Sequence, residues 1–124
     1  MVLDYISGSG VMVIVLGDTC TFNEAKDLVK RLVFEKGFPH DESALPQKLL
    51  WAFVELGEAA DAYKKGMGWS VVCEELIDVV FYILDFIGVV EDSYGIRIDV
   101  DRVFLDKWRK NMSRPKKYGQ RRAL

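Results

Sequence analysis

Two pairs of acidic residues are spaced so that their carboxylates could act together. Glu55 and Glu58 form the first pair, and Glu75 and Asp78 form the second. The members of each pair are three positions apart, which places them on one face of a helix with Cβ atoms about 5–6 Å apart. A single pair of this kind is typical of a solvated helix surface. Two pairs close together in the chain call for a second interpretation.

A turn between the pairs would bring them face to face. Two glycines interrupt the helical pattern at residues 64–70, KKGMGWS. At about 1.5 Å rise per residue, an antiparallel helical hairpin sets Glu55 level with Asp78 and Glu58 level with Glu75. Four facing carboxylates are unfavourable unless a cation lies among them. Oxygen ligands without His or Cys suit Mg²⁺, with Mn²⁺ as the other candidate, rather than Zn²⁺.

The residues around both pairs resemble the MazG-type all-α nucleoside triphosphate pyrophosphohydrolases. The resemblance is carried by FVELGEAA at residues 53–60 and by EELIDVVFY at residues 74–82. It continues near the C-terminus in Lys107, Asn111 and Arg114, which match the Lys/Asn/Arg segment of that family. Together these matches extend over about residues 23–114.

The resemblance implies hydrolysis of the α–β phosphoanhydride of a nucleoside triphosphate, giving a nucleoside monophosphate and pyrophosphate, as in nucleotide-pool house-cleaning. Carboxylate-bound Mg²⁺ could activate a water and neutralise phosphoryl charge. Glu55, Glu58, Glu75 and Asp78 are the candidate ligands. One of them could act instead as the base towards water, and Glu55 is our candidate. Lys107 and Arg114 would hold phosphates, Lys as a point charge and Arg by its planar fork.

Two further residues are candidates for substrate binding. His40, the only histidine of the chain, is predicted in a loop directly before the helix that carries Glu55. It is either a solvated loop residue or a contact to the substrate. Trp51 projects away from the direction of Leu50 and Phe53, so it belongs either to the core or an interface, or to a platform on which a base stacks.

Capping signals and apolar periodicity predict about four helices, and therefore an all-α helical bundle. The predicted bounds are Thr21 to Lys36, Leu45 to Lys65, Ser70 to Tyr94 and Asp99 to Ser113. Thr21 and Glu24 have the form of a capping box. Ser70 and Asp99 are candidate N-caps of the last two helices.

The apolar residues predict which helical faces are buried. In the second helix these are Leu49, Leu50, Phe53, Leu56, Ala60 and Tyr63, and in the fourth Val103, Phe104 and Trp108. The third helix is apolar around nearly its whole circumference, so nearly all its sides must be covered. One chain with about four helices cannot easily do this, so we predict a homodimer or homotetramer. Asp85 is interpreted as an ordinary charge at a helix surface or subunit boundary.

The chain divides into three parts. Residues 1–20 are an N-terminal extension in which Val11 to Leu16 favours a short strand. That strand is expected to pair either with residues 2–6 in a hairpin or across a dimer. Residues 21–114 form the predicted MazG-like helical domain. Residues 115–124 form a basic C-terminal tail, within a segment from Lys107 onward that has eight basic residues and no acidic ones.

The composition restricts the class of protein and its location. Half of the 124 residues are apolar, which indicates a globular domain. Two cysteines without metal-like spacing, and no basic segment before the first apolar run, favour a cytoplasmic location. The most apolar stretch, residues 76–90, is too short and too interrupted by acids to cross a membrane.

The sequence also leaves functions other than a MazG-type pyrophosphohydrolase open. Phosphoribosyl-ATP pyrophosphatase and the dimeric dUTPases are the nearest alternatives, because they use similar acidic pairs on helices. A ferritin-like di-iron protein requires Glu-x-x-His motifs, and the sequence has none. A non-catalytic, oligomeric nucleic-acid-binding helical protein would use the basic tail. The acidic body and the absence of a recognition motif argue against nucleic acid as a partner.

Overall fold

Helices dominate the chain in the computed structural model, which describes residues 3–6, 13–16 and 19–116. The helices are α1 (Phe22–Lys36), α2 (Leu45–Lys64), α3 (Trp69–Tyr94) and α4 (Val100–Ser113), and one turn of 3₁₀ helix (Glu42–Ala44) precedes α2. The predicted all-α helical bundle is therefore confirmed.

The N-terminal extension contains a two-stranded hairpin. Strands β1 (Leu3–Ile6) and β2 (Val13–Leu16) pair antiparallel, with Leu3 opposite Leu16 and Ile6 opposite Val13. This matches the first of the two pairings that the sequence left open. The basic tail beyond residue 116 lies outside the described residues.

Local interactions define both ends of α1. The Thr21 hydroxyl accepts a hydrogen bond from the Glu24 N–H at 3.1 Å, and the Glu24 carboxylate accepts one from the Thr21 N–H at 2.9 Å. This reciprocal capping box satisfies two backbone donors at the start of the helix. Gly37 ends α1 in the left-handed conformation, with φ of 72°. Both termini agree with the sequence prediction.

The start of α3 differs from the prediction. Gly68, not Ser70, is its N-cap, and no side chain caps the helix there. Gly68 has φ of 100° and Gly66 has φ of 65°, which are backbone conformations that residues with a Cβ rarely adopt. The turn between α2 and α3 therefore depends on both glycines, and Ser70 lies inside the helix.

The core is small and lies between α1 and α3. Its buried cluster consists of Val29, Val33 and Leu84, with Ala25, Val80 and Val100 packed against it. The second helix lies along α3, and α1 packs on α3 beside it. The α2 residues buried by this packing include the small Ala59 and Ala62. Small residues allow the two helices to approach closely.

The predicted buried faces of α2 and α4 are wrong for the single chain. On α2 the exposed residues include Leu50 and Phe53, of which Phe53 is 72% exposed. On α4 no residue is buried, and Phe104 and Trp108 are each about half exposed. The third helix also leaves Ile77 and Ile83 exposed. The apolar pattern therefore includes surface that the described residues of one chain do not cover.

A buried network of charged groups joins α1 to the end of α3. The fully buried Lys26 donates to Glu91 at 2.7 Å and to the Ile98 carbonyl at 2.5 Å. Lys30 donates to the other oxygen of Glu91 at 2.5 Å and to Asp92 at 2.9 Å. Its stem passes over Gly88, where an added Cβ would lie 3.1 Å from Lys30 carbon atoms. Glycine at this position therefore lets Lys30 reach its partners.

The first turn of α4 is held by the start of α1. The Asp101 carboxylate accepts hydrogen bonds from the N–H groups of Phe22 and Asn23, at 3.0 and 3.2 Å. The Asn23 side chain in turn accepts from the Val100 N–H at 2.8 Å. Asp99 caps α4 by accepting from the Arg102 N–H, as predicted. Within the described part of the chain, no helix is both long enough and apolar enough to cross a bilayer.

Candidate active site

Three of the four predicted metal ligands meet between α2 and α3. Glu55, Glu75 and Asp78 each place one carboxylate oxygen within 4.8 Å of the others. All three side chains are half-buried. The antiparallel register about the glycine turn produces this convergence, as counting residues from the turn predicted. We refer to these three residues as the acidic cluster.

Glu58 lies beside the acidic cluster but is more exposed. Its negative charge nevertheless raises the pKa of Glu55 and Glu75. Burial raises the pKa of Glu55, and repulsion from Glu58 and Asp78 raises it further. Burial, followed by repulsion from Glu58, Asp78 and Glu74, also raises the pKa of Glu75, although a hydrogen bond with Glu55 lowers it in part. The carboxylates therefore repel one another in this part of the described structure.

The donor set fits a hard divalent cation. Every ligand candidate offers carboxylate oxygen, and no His or Cys joins Glu55, Glu75 and Asp78 among the described residues. Oxygen donors of this kind are preferred by Mg²⁺ and Mn²⁺. A divalent cation would also relieve the repulsion that raises the pKa of Glu55 and Glu75.

A cavity of about 270 Å³ adjoins the acidic cluster. Glu55 and Asp78 belong both to the cluster and to the cavity wall. Most of the remaining wall is apolar, and it is provided by Val29, Leu32, Val33, Phe38 and Phe81. A largely apolar cavity with a few polar groups at one side is typical of a small-molecule site.

An aromatic pair lies next to the acidic cluster along α2 and α3 and lines the cavity. Trp51 precedes Glu55 by four residues, and Tyr82 follows Asp78 by four. Their rings pack edge to face with centroids 5.7 Å apart, and both line the cavity. Burial, followed by the charges of Glu55, Asp85 and Asp78, raises the pKa of Tyr82. Trp51 is therefore positioned where a planar ring could contact it.

A buried ion pair lies on the same two helices, beyond Trp51 and Tyr82 as counted from the acidic cluster. Lys48 donates to Asp85 at 2.6 Å, and the two side chains are only 3% and 8% exposed. The interpretation of Asp85 as an ordinary surface charge is therefore wrong. Lys48 was missed from the sequence altogether. The sequence feature that could have identified Lys48 is its spacing. It lies seven residues before Glu55, just as Asp85 lies seven residues after Asp78.

His40 lies next to the charged network rather than in the cavity wall. Its Nε2 is 2.7 Å from Asp92, which also accepts from Lys30. The ring is half-buried, and its Nδ1 has no hydrogen-bond partner within the described structure. The side chain thus joins the loop before α2 to the end of α3.

The three residues of the Lys/Asn/Arg segment lie in the C-terminal half of α4 and at its C-cap, which is Arg114. Lys107, Asn111 and Arg114 are all exposed. Arg114 donates its backbone N–H to the Asn111 carbonyl at 3.3 Å. None of the three lines the cavity beside the acidic cluster. Within one chain, the described structure therefore does not bring this segment together with the carboxylates.

A scan against protein-family models, a search of curated proteins and a search of solved structures each found no significant match to this chain. The basis for a function is therefore the acidic cluster, the adjoining cavity and the sequence around them.

Proposed function

We propose that the protein is a Mg²⁺-dependent nucleoside triphosphate pyrophosphohydrolase that releases a nucleoside monophosphate and pyrophosphate. The observation that carries this proposal is the convergence of Glu55, Glu75 and Asp78 within 4.8 Å beside a cavity. The resemblance of residues 53–60 and 74–82 to MazG-type enzymes supports the same reaction.

The acidic residues have distinct positions in this proposal. Glu75 and Asp78 would hold the cation, with Glu58 as a further oxygen donor, and Glu55 would either join them or act as the base. Bound Mg²⁺ supplies activation of a water and stabilisation of charge on the phosphoryl oxygens. Glu55, which belongs to both the cluster and the cavity wall as Asp78 does, is our candidate to accept the proton of the attacking water. Mn²⁺ is the expected substitute because it prefers similar ligands.

The size of the cavity supports a division of the substrate between two regions. Ligand pockets are commonly about 300–1,000 Å³, whereas this cavity has about 270 Å³. It can hold a ring system but not a whole triphosphate. We therefore place the nucleobase of the substrate in the cavity, in contact with Trp51. The phosphates would lie outside the cavity, over the exposed side near Glu58.

The phosphate-binding residues are best supplied through oligomerisation. Lys107 and Arg114 lie on a helix that has no buried residue and whose first turn is held to the start of α1. The apolar side chains of Phe104 and Trp108 on that helix are about half exposed. A second copy of the chain could cover this face and bring Lys107 and Arg114 to the phosphates. We infer a homodimer, or a pair of such dimers.

The direct test is pyrophosphate release from a panel of ribo- and deoxyribonucleoside triphosphates in Mg²⁺, Mn²⁺ or EDTA. Glu75→Gln removes a cluster carboxylate, and Glu74→Gln is its matched control because Glu74 is the exposed neighbour outside the cluster. We expect release in Mg²⁺ and Mn²⁺, none in EDTA, and loss only in Glu75→Gln. Equal rates in EDTA and Mg²⁺, or equal rates for Glu75→Gln and wild type, would overturn the proposal.

A further inference from the structure

The buried pair of Lys48 and Asp85 contains an acceptor without a partner. Lys48 occupies Asp85 Oδ2 at 2.6 Å. The other oxygen, Oδ1, is buried and has no hydrogen-bond partner in the described structure. Buried carboxylate oxygens of native proteins are nearly always hydrogen-bonded. An unpartnered carboxylate oxygen on a residue of a cavity wall is a candidate acceptor for a bound ligand.

Both residues of the pair belong to the wall of the cavity beside the acidic cluster. They are the polar groups on the side away from Glu55 and Asp78, because the aromatic pair of Trp51 and Tyr82 lies between them in the register. Along α2 and α3, the cavity wall therefore runs from carboxylates through aromatic rings to the buried pair. This order matches phosphate, ring and ring edge in a nucleotide.

We propose that Asp85 determines base specificity by accepting a hydrogen bond from the exocyclic amino group of a cytosine ring. The inference rests on the proposed function, since it names the substrate class of the same site. Lys48 acts as a positioning residue that fixes the carboxylate. An ionised carboxylate paired in this way only accepts hydrogen bonds.

The groups at the edges of the nucleobases determine which bases Asp85 would accept and which it would reject. Cytosine and adenine present an amino donor where uracil and guanine present a carbonyl oxygen. A carbonyl oxygen facing Asp85 would leave the buried carboxylate unpaired and would repel it. A site built around such a hydrogen bond rejects analogues that lack the donor, because its own polar group stays unpaired.

The first test uses the wild-type protein and substrates that differ by one group. We compare kcat/KM for CTP, for UTP and for the pyrimidin-2-one riboside triphosphate, which is CTP without its amino group. We expect CTP to be preferred over both by roughly tenfold to a hundredfold, the range of one base-specific contact. Equal values for CTP and the analogue without the amino group would overturn the inference while leaving the proposed function intact.

The second test replaces the pair by Lys48→Met with Asp85→Leu. Exchanging a buried ion pair for apolar residues of similar volume commonly preserves the fold, which thermal unfolding checks. The CTP/UTP ratio of kcat/KM should fall towards one. The matched control is Lys65→Met with Asp61→Asn, an exposed ion pair of the same hairpin, which should keep the wild-type ratio. A double variant that folds and keeps the ratio would contradict the role of Asp85.

A binding measurement separates this inference from the proposed function. Calorimetry without any metal compares CMP with the monophosphate of the pyrimidin-2-one riboside. Tighter binding of CMP by tenfold or more would support recognition by Asp85 even for a protein that hydrolyses no triphosphate. Absence of CMP binding, or equal binding of the two, would overturn it.

Discussion

Glu91 and Lys26 form a buried ion pair with a separation of 2.7 Å, and Lys26 has no exposed surface. Burial alone would raise the pKa of Glu91. Hydrogen bonds from Lys26, Lys30 and the Ile98 N–H outweigh burial and lower this pKa from 4.5 to about 2. The pair connects the beginning of α1 with the end of α3, so the relative position of these helices depends on its ionised state.

Glu91→Gln is expected to destabilise the protein at pH 7 by about 3–5 kcal/mol, because it leaves a buried lysine without its counter-charge. Since the folded-state pKa of Glu91 lies below its ordinary value, its stabilisation is fully present above about pH 4.5. It is lost as the pH falls towards 2. The free energy of unfolding from urea titrations should therefore differ most between wild type and variant at neutral pH, and the difference should shrink below about pH 4.5.

The matched control is Asp106→Asn, which breaks the exposed pair of Asp106 with Arg102. Exposed pairs contribute little to stability, so this variant should unfold close to wild type at every pH. A Glu91→Gln deficit that stayed constant or grew on acidification would contradict the assigned role of the buried pair.

Removing one carboxylate of the acidic cluster should separate metal binding from folding. Asp78→Asn should raise the melting temperature in EDTA, because it relieves repulsion that raises the pKa of Glu55. It should also abolish the stabilisation that Mg²⁺ gives the wild type by binding only the folded state. Thermal unfolding with and without millimolar Mg²⁺ measures both effects. Glu74→Gln, outside the cluster, should keep the Mg²⁺ shift; a similar shift in Asp78→Asn would show that the ion binds elsewhere.

Lys107→Ala and Arg114→Ala should each lower kcat/KM by roughly tenfold to a hundredfold, the effect of losing one charge-assisted phosphate contact. Because both side chains are exposed, the melting temperature should stay near that of wild type. Lys110→Ala removes another exposed lysine of α4 and serves as the control. A Lys110→Ala loss as large as that of Lys107→Ala would indicate a general charge effect rather than specific contacts.

The origin of Lys107 can be tested by mixing two defective proteins. Asp78→Asn lacks a cluster carboxylate, and Lys107→Ala lacks a phosphate contact. If α4 acts on the site of a second copy, mixed dimers contain one site with both residues intact, so co-refolding should restore activity. If Lys107 serves the site of its own chain, the mixture should show only the average of the two proteins.

Oligomerisation should depend on the exposed apolar faces. Sedimentation at low micromolar concentration should show a dimer or tetramer for the wild type. Trp108→Glu places a charge on the apolar face of α4, where Trp108 is 54% exposed in the single chain, and should shift the distribution to monomer. Lys36→Glu, at the exposed end of α1, is the control. A wild type that sediments as a folded monomer would refute the inferred interface.

The parts of the fold set by local chemistry were predictable from the sequence. Thr21 and Glu24 cap α1 as their spacing predicts, and Asp99 caps α4. The convergence of Glu55 with Asp78 was also predictable, because the rise of an α-helix is constant and the two residues lie at matching distances from the glycine turn.

The remaining features depend on contacts that the sequence does not specify. The pairing of Lys48 with Asp85 joins residues 37 positions apart, and only the observed packing of α2 on α3 identifies it. The exposed Phe53 and Trp108 were expected to be buried because an apolar pattern does not distinguish a core within one chain from a contact between chains. The preference for a polar N-cap predicts Ser70 as the cap of α3, but the preceding turn requires positive φ at Gly66 and Gly68, and Gly68 is the cap.

The most direct measurement is ³¹P NMR of a nucleoside triphosphate incubated with the wild type and with Asp78→Asn in Mg²⁺. The account predicts resonances of nucleoside monophosphate and pyrophosphate for the wild type only. Formation of nucleoside diphosphate and orthophosphate, or the same products at the same rate from Asp78→Asn, would contradict the claim that the cluster of Glu55, Glu75 and Asp78 cleaves the α–β phosphoanhydride.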